Sequence, residues 1–393
     1  MTTLAEHWDL DPDLVFLNHG SFGACPRPVL DEQSRWRSEM EFQPVDFFVR
    51  RIEGHLDSAL ARLASFLGAD PVDLVWVPNA TAGVNAVLRS LEFGPGDELV
   101  TTDHAYNACR NALEYVAARS GAEVVVARVP FPLESPDQVL NSILEAAGPQ
   151  TRLALIDHVA SPTGLIFPIE RIVAELAERG IDTLVDGAHA AGMVPVEISK
   201  INATYYTGNC HKWLCAPKGA GFLHVRPDLQ DRIVPTAISH GANSPRKDRS
   251  RFRLLFDWTG TGDPTPMLAV PAALDFMSDL VPGGWAEVMD TNRTLALAGR
   301  DIVTQSLGVE DPAPDEMIGS MASVPLPDAE DADPPESSLY GDPLQDDLLS
   351  RWRIEVPLVP WPAWPKRLVR ISAQLYNEPA QYELLARALK DVL

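Results

Sequence analysis

The sequence predicts an α/β protein, with a mainly parallel sheet in a large domain and a small α+β domain at the C-terminal end. Two observations carry this prediction. From about residue 72 to 226, apolar β-rich runs alternate with amphipathic stretches. Strands that alternate with helices make a parallel sheet covered on both faces. A Pro- and acid-rich interruption follows at 311–347, and the chain then closes with strand-like runs and a helix.

Taken in order, "DLVWVP" (73–78) reads as the first strand and "AGVNAVLRSLE" as the helix after it. "DELVTTD" (97–103) is the second strand, followed by a helix through "NACRNALEYVAARSG". "AEVVVARV" and "TRLALIDHV" are further strands, with helical "PDQVLNSILEAAG" between them. "PIERIVAELAERG" has Pro at its start and Gly at its end, the usual asymmetry of helix termini. "IDTLVDGAHA", "ATYYTG" and "GAGFLHV" complete seven strands. Sites in such sheets form at the carboxyl ends of the strands. The composition of 311–347 reads as an irregular acidic loop. We expect an arm at 1–20, a large domain at 21–267 and a small domain at 268–393 carrying that loop. The arm is expected to pack on the small domain or on a partner chain.

At 393 residues the chain is long enough for such a division. Its formal charge of −23 argues against nucleic acid as a partner, and no basic cluster offsets it. A locally positive pocket for a small anion stays open. The start "MTTLAEHWDLDPD" is polar and acidic, and no run of about 20 apolar residues occurs, so neither a membrane partner nor a signal peptide is expected. Cytoplasmic residence is the expectation. The four cysteines are too scattered for a disulfide framework, and "CHKWLC" (210–215) lacks the spacing of a zinc site, so no metal is expected.

Several residues fall where strands end. Lys212 lies in "YYTGNCHKWLCAPKGAGF" (205–222), a stretch with few charges. It reads either as a lysine whose ammonium reaches solvent or as a carbonyl-reactive amine held in a pocket. Asn79-Ala80-Thr81 closes the first strand and opens a helix, either as a plain N-cap or as an anion cradle. Asp186 ends "IDTLVD" with His189 three residues on; a carboxylate at that depth needs a partner. His104 and Tyr106 in "DHAYNA" can supply a flat face for an aromatic ring, or simply pack. Ser161 and Thr163 in "ASPTG" can donate to a phenolic oxygen, or simply make the turn. Together, phosphate donors, a ring stack, a buried acid and an amine are the parts needed to hold pyridoxal phosphate.

The segments "FLNHGSFGACPRPV", "PNATAGVN", "TTDHAYNA", "SPTGLIFPI", "VDGAHAAG", "YTGNCHKWLCAPKGAGFL", "DWTGTGDPTP" and "VRISAQLYN" then carry a resemblance over nearly the whole chain. The sequence resembles the class V aminotransferase family of pyridoxal-phosphate enzymes of fold type I, in its isopenicillin N epimerase-like branch. That resemblance implies Lys212 as the Schiff-base lysine, Asp186 as partner of the pyridine nitrogen and His189 as a contact of the ring oxygen. It implies Ala80 and Thr81 in the phosphate cradle with Asn209 and His211 beside them. Thr261 matches a residue that reaches the cofactor phosphate of the neighbouring subunit, which implies a homodimer with composite sites. Arg370 matches the arginine that grips the substrate α-carboxylate, a task suited to a planar fork. The stacking group is His104 or Tyr106, with Tyr106 favoured.

An amino-acid epimerase is the first expectation for the reaction. It needs a second proton donor opposite Lys212, for which Tyr106, His104 and His19 are candidates, and His19 and Ser21 are expected near the substrate. A C–S lyase follows, then an aminotransferase. A persulfide-forming desulfurase is disfavoured because no cysteine follows Cys215. The segment "VDFFVRR" (45–51) either borders the substrate pocket or is a plain amphipathic helix.

Overall fold

A computed structural model describes residues 3–330, 333–334 and 341–393. The seven apolar runs become strands β1 (Leu74–Val77), β2 (Glu98–Thr102), β3 (Glu123–Ala127), β4 (Thr151–Asp157), β5 (Asp182–Gly187), β6 (Tyr205–Asn209) and β7 (Gly221–Val225). They form one sheet in the order β1-β7-β6-β5-β4-β2-β3. β7 runs antiparallel to both neighbours, and all other pairings are parallel. The expected mainly parallel, seven-stranded sheet is therefore present.

Helices α1 (Arg27–Phe42) and α2 (Ile52–Phe66) precede the sheet. The crossovers are α3 (Ala80–Ser90), α4 (Asn107–Ser120), α5 (Pro136–Ala146) and α6 (Ile169–Glu178). Side chains of a strand point alternately to its two faces. On β4, Leu153 and Leu155 join Val84, Val87 and Leu113 of α3 and α4. Ala154 and Ile156 join Ile143 and Ile172 of α5 and α6 in the other core. A strand buried on both faces must be apolar in every register, which is why these runs showed no alternation.

α3 approaches β6 closely because Gly83 has no side chain. A Cβ there would lie 2.1 Å from Thr207 Oγ1, which is tied to the Phe222 carbonyl at 2.8 Å. This contact sets the N-terminus of α3 beside the end of β6.

The remainder comprises α7 (Val270–Asp279), α8 (Gly284–Leu307), β8 (Met321–Leu326), α9 (Pro343–Trp352), β9 (Leu358–Pro360), β10 (Arg367–Ser372) and α10 (Pro379–Val392). Its three strands form an antiparallel sheet in the order β9-β10-β8. Near the N-terminus, Val15–Phe16 pairs in parallel with Ile354–Glu355, and Trp8 meets Tyr376 edge-on with centroids 5.2 Å apart. Among the described residues, no helix is long and apolar enough to cross a membrane.

The acidic segment 311–347 differs from expectation. It is not a loop throughout: "MASVPL" (321–326) is strand β8, paired along its whole length with β10, and α9 begins at Pro343 with Asp342 as its cap. Flanking prolines and acids dominate the local composition, whereas the ladder that orders β8 comes from residues 41 to 51 positions later. Residues 331–332 and 335–340 of that stretch lie outside the described residues.

Two glycines give opposite predictions. Gly83→Ala should lower stability by about 1–3 kcal/mol through overpacking against Thr207. Gly54→Ala, in α2 with nothing near its missing Cβ, should raise stability by about 0.5–1 kcal/mol. Chemical denaturation of both variants checks the pair; equal effects would refute the close α3–β6 contact.

Candidate active site

The parallel strands β4, β5 and β6 run in register and bring their C-terminal residues side by side, with Asp157 opposite Asp186 and Asp186 opposite Thr207. The chain leaves each strand into a turn, and these turns converge. Gly192, with φ of +88°, lets the turn after β5 pass against the Trp213 backbone, where a Cβ would lie 2.6 Å away. The Asp186–His189 turn and the Lys212–Trp213 segment thereby share one cleft.

In that cleft Lys212 Nζ is 3.0 Å from His189 Nε2, and the Trp213 indole N–H donates to His189 Nδ1 at 3.3 Å. Burial is the main force pushing the Lys212 amine down to about 7, and the Arg370 guanidinium adds to it. Asp186 accepts the Ala188 N–H on one oxygen and the Cys109 thiol on the other, both at 3.0 Å. Burial raises its pKa, while these two donors and Lys212 oppose the rise. Beside it, Asp157 is held well above the usual carboxylate range, first by burial and then by Asp186 itself. Two adjacent buried carboxyls do not both ionise readily.

Arg370 reaches the cleft from β10. One guanidinium nitrogen donates to the Ser161 carbonyl at 2.6 Å and its hydroxyl at 3.2 Å, and the other donates to the Ser21 hydroxyl at 3.0 Å. Ser161 thus lies at the arginine end of the cleft, where its hydroxyl accepts from Arg370. Thr163 is fully buried against His104.

The other end of the cleft is the N-terminus of α3. Here the Asn79 side chain accepts the Ala82 N–H as a helix cap, so the plain reading of Asn79 holds. The Ala80 N–H is taken by Asn209 Oδ1 at 2.8 Å. The Ala80 N–H is thus engaged within the chain, whereas the Asn79 bond uses only its side-chain oxygen. Beside Asn209, His211 Nδ1 is buried and has no partner among the described residues. Burial, then the charges of Lys212 and Lys218, hold this imidazole down at about 4. A buried, unsatisfied ring nitrogen two residues from Asn209, which itself meets the N-terminus of α3, fits an oxygen-rich anionic group. With a buried acid and an amine further along, the residues present fit pyridoxal phosphate.

Two histidines do not open onto the cleft. His104 bonds Thr163 Oγ1 at 2.9 Å and the Val129 carbonyl at 3.1 Å, with its ring 4.6 Å from Trp361. Its side chain exposes no surface, so no void beside it admits a ligand. His19 is also fully buried; it bonds the Tyr376 hydroxyl at 2.8 Å and the Lys212 carbonyl at 3.1 Å. Both stabilise the architecture, and neither has a free face for stacking or proton donation. Tyr106, at 36 % exposure, stands at the start of α4. Thr261 is exposed on the turn after Trp258 and is not gathered into this chain's cleft. In the 45–51 segment Phe47 is buried, while Phe48 meets Trp258 edge-on at 5.8 Å.

Sequence reasoning missed three residues of the cleft. Asp157 shows the same signal as Asp186, an acid closing an apolar strand, and was findable. Cys109 and Trp213 carry no local sign, since their partners are 77 and 24 residues away.

The class V aminotransferase profile matches residues 30–333. The chain belongs to that family, whose members are pyridoxal-phosphate enzymes. Among its relatives, the isopenicillin N epimerase of Amycolatopsis lactamdurans is 37% identical, covering 98% of this chain and 97% of that protein. A putative L-cysteine desulfhydrase 1 of Oryza sativa subsp. japonica is 30% identical over 96% of this chain and 83% of its own length. The fold matches a C-DES mutant with glycine covalently linked to its PLP cofactor, with a TM-score of 0.80 at 21% identity, covering 97% of each chain.

Burial of Lys212 gives a prediction for the cofactor-free protein. Its folded value is about 7, against about 10.4 in an unfolded chain. The unfolded state therefore binds more protons between those limits, and stability rises with pH across them. The penalty is absent above about pH 10.4 and complete near pH 7. Lys212→Met should thus be more stable than the parent at pH 7, with an advantage that shrinks to nothing by pH 10.5. Melting temperatures across that range check the trend, and a constant offset would contradict it.

Proposed function

We propose that this chain is a pyridoxal-phosphate enzyme that inverts the α-carbon of an amino-acid substrate, an epimerase of the isopenicillin N epimerase type. The observation that carries the enzyme reading is the buried Lys212 amine, poised near neutrality between Arg370 and Asp186. The relationship to isopenicillin N epimerase over 98% of the chain supports the choice of reaction.

On this reading Lys212 holds the cofactor aldehyde, and Asp186 keeps a proton on the pyridine nitrogen. His189 faces the ring oxygen; Thr81, Asn209 and His211 line the phosphate end. The cofactor supplies an electron sink for bond breaking at the α-carbon. Arg370 grips the α-carboxylate with a planar fork steadied by Ser21 and Ser161. Lys212, whose amine burial pushes down to about 7, takes the α-proton. Tyr106 returns a proton from the other face, which is what inversion requires. The reading includes a homodimer in which the exposed Thr261 reaches the partner's phosphate end, and residence in the cytoplasm. It treats 21–267 as the cofactor-binding domain and 268–393 as the small domain that brings Arg370, with 1–20 as an arm.

A C–S lyase is the second reading, favoured by the desulfhydrase relative and by direct elimination needing no thiol beyond Cys215. Transamination is the third.

Incubation of the purified holoenzyme with a panel of amino acids in heavy water separates them. Inverted product carrying deuterium at the α-carbon supports the epimerase. Pyruvate and sulfide from cysteine, without inversion, would replace it with the lyase. A protein that shows no borohydride-bleached yellow colour would sink both. Tyr106→Phe should slow inversion by about 10²-fold or more while leaving the colour intact. Arg370→Lys should raise KM for the substrate by about tenfold, since one point charge replaces two parallel bonds.

A further inference from the structure

Trp213 is fully buried, and the partner of its indole N–H is His189 Nδ1, at 3.3 Å. The same imidazole turns Nε2 toward Lys212 Nζ at 3.0 Å. An indole nitrogen only donates, so His189 Nδ1 must accept. A neutral imidazole whose Nδ1 accepts carries its proton on Nε2. That N–H faces Nζ, which can accept only as the unprotonated amine. An ammonium in the same position would set donor against donor in a buried site, at the cost of an unsatisfied group.

We infer that Trp213 is a positioning residue: by fixing the Nε2–H tautomer of His189 it holds Lys212 as the neutral amine that an aldehyde requires. Burial, and then the charges of Lys212 and Arg370, keep His189 itself well below its usual range, so the choice left to the ring is between its two neutral tautomers. Other groups also face Lys212. Arg370 from β10 opposes the ammonium, while Asp186 on β5, Cys109 on α4 and Asp157 on β4 favour it. His211 and His19 flank His189 on the lysine segment and the N-terminal arm. The two acids pull toward the charged form; against them, alongside burial and Arg370, the directional bond from His189 favours the free base by geometry. With cofactor bound, the same N–H is presented to whatever acceptor replaces the lysine lone pair.

The purpose of this device rests on the assignment of Lys212 as the cofactor lysine, but the tautomer can be read without any cofactor. Nitrogen-15 correlation spectra of the histidines in the cofactor-free protein, with His189 assigned through His189→Gln, should show the proton on Nε2. A proton on Nδ1 would overturn the inference, and the parent spectrum decides this even where a Trp213 variant does not fold. The second measurement is the rate at which added pyridoxal phosphate becomes attached, followed as yellow absorbance against pH. Trp213→Phe should move the midpoint up by about one pH unit, leaving about tenfold less reactive amine below it. In the His189→Gln background, whose amide has no tautomer to fix, the same substitution should not move the midpoint. No shift in the first background, or an equal shift in both, would defeat the inference. Absence of attachment in every form would defeat the proposed function, while the spectra would still report the tautomer.

Discussion

A lysine amine held out of water is the constraint around which this molecule is organised. An ammonium is strongly hydrated and costly to bury. The cleft meets that cost partly by lowering the charge on Lys212 to near-neutral pH and partly with the two acids beneath it. Those acids are costly in turn: Asp157 and Asp186 stand side by side at the ends of β4 and β5, both buried. A thiol and a backbone N–H are spent on Asp186 alone. Such an arrangement is expensive for stability, and strongly perturbed groups of this kind cluster at functional sites.

The topology explains why these groups meet. In a parallel sheet every strand presents the same end to one edge, so residues far apart in sequence collect there. The antiparallel β7 returns the chain from the Lys212 turn and closes the sheet against β1. α3 is drawn onto β6 through Gly83, which fixes the helix N-terminus beside Asn209. Arg370 comes from the other, antiparallel sheet and ties itself to Ser161 and Ser21. The cleft is a seam between two sheets, and Arg370 is the bolt across it.

On the epimerase reading, inversion needs a proton donor opposite Lys212. The full burial of His104 and His19 narrows that choice in this chain. Each appears to sequence reading as a candidate acid or stacking ring, yet each is engaged on two sides and sealed from water. Tyr106, at the start of α4, keeps 36 % of its surface exposed.

The order of strands and helices was legible in the sequence because each element is encoded locally, by apolar runs, periodicity and the Pro and Gly at helix ends. Lys212, Asp186 and His189 were legible as candidates because polar groups in apolar surroundings at strand ends are conspicuous, whereas Arg370 was legible only through the family resemblance. Only the tertiary structure could decide which of the equivocal residues face the cleft. It turned Asn79 into a cap and sealed away His104 and His19. It made a strand of 321–326 within an acidic stretch, and it set Cys109 and Trp213 against partners far along the chain. These outcomes depend on long-range hydrogen bonds and packing, and no local pattern of residues contains the identity of a partner that arrives from elsewhere in the fold.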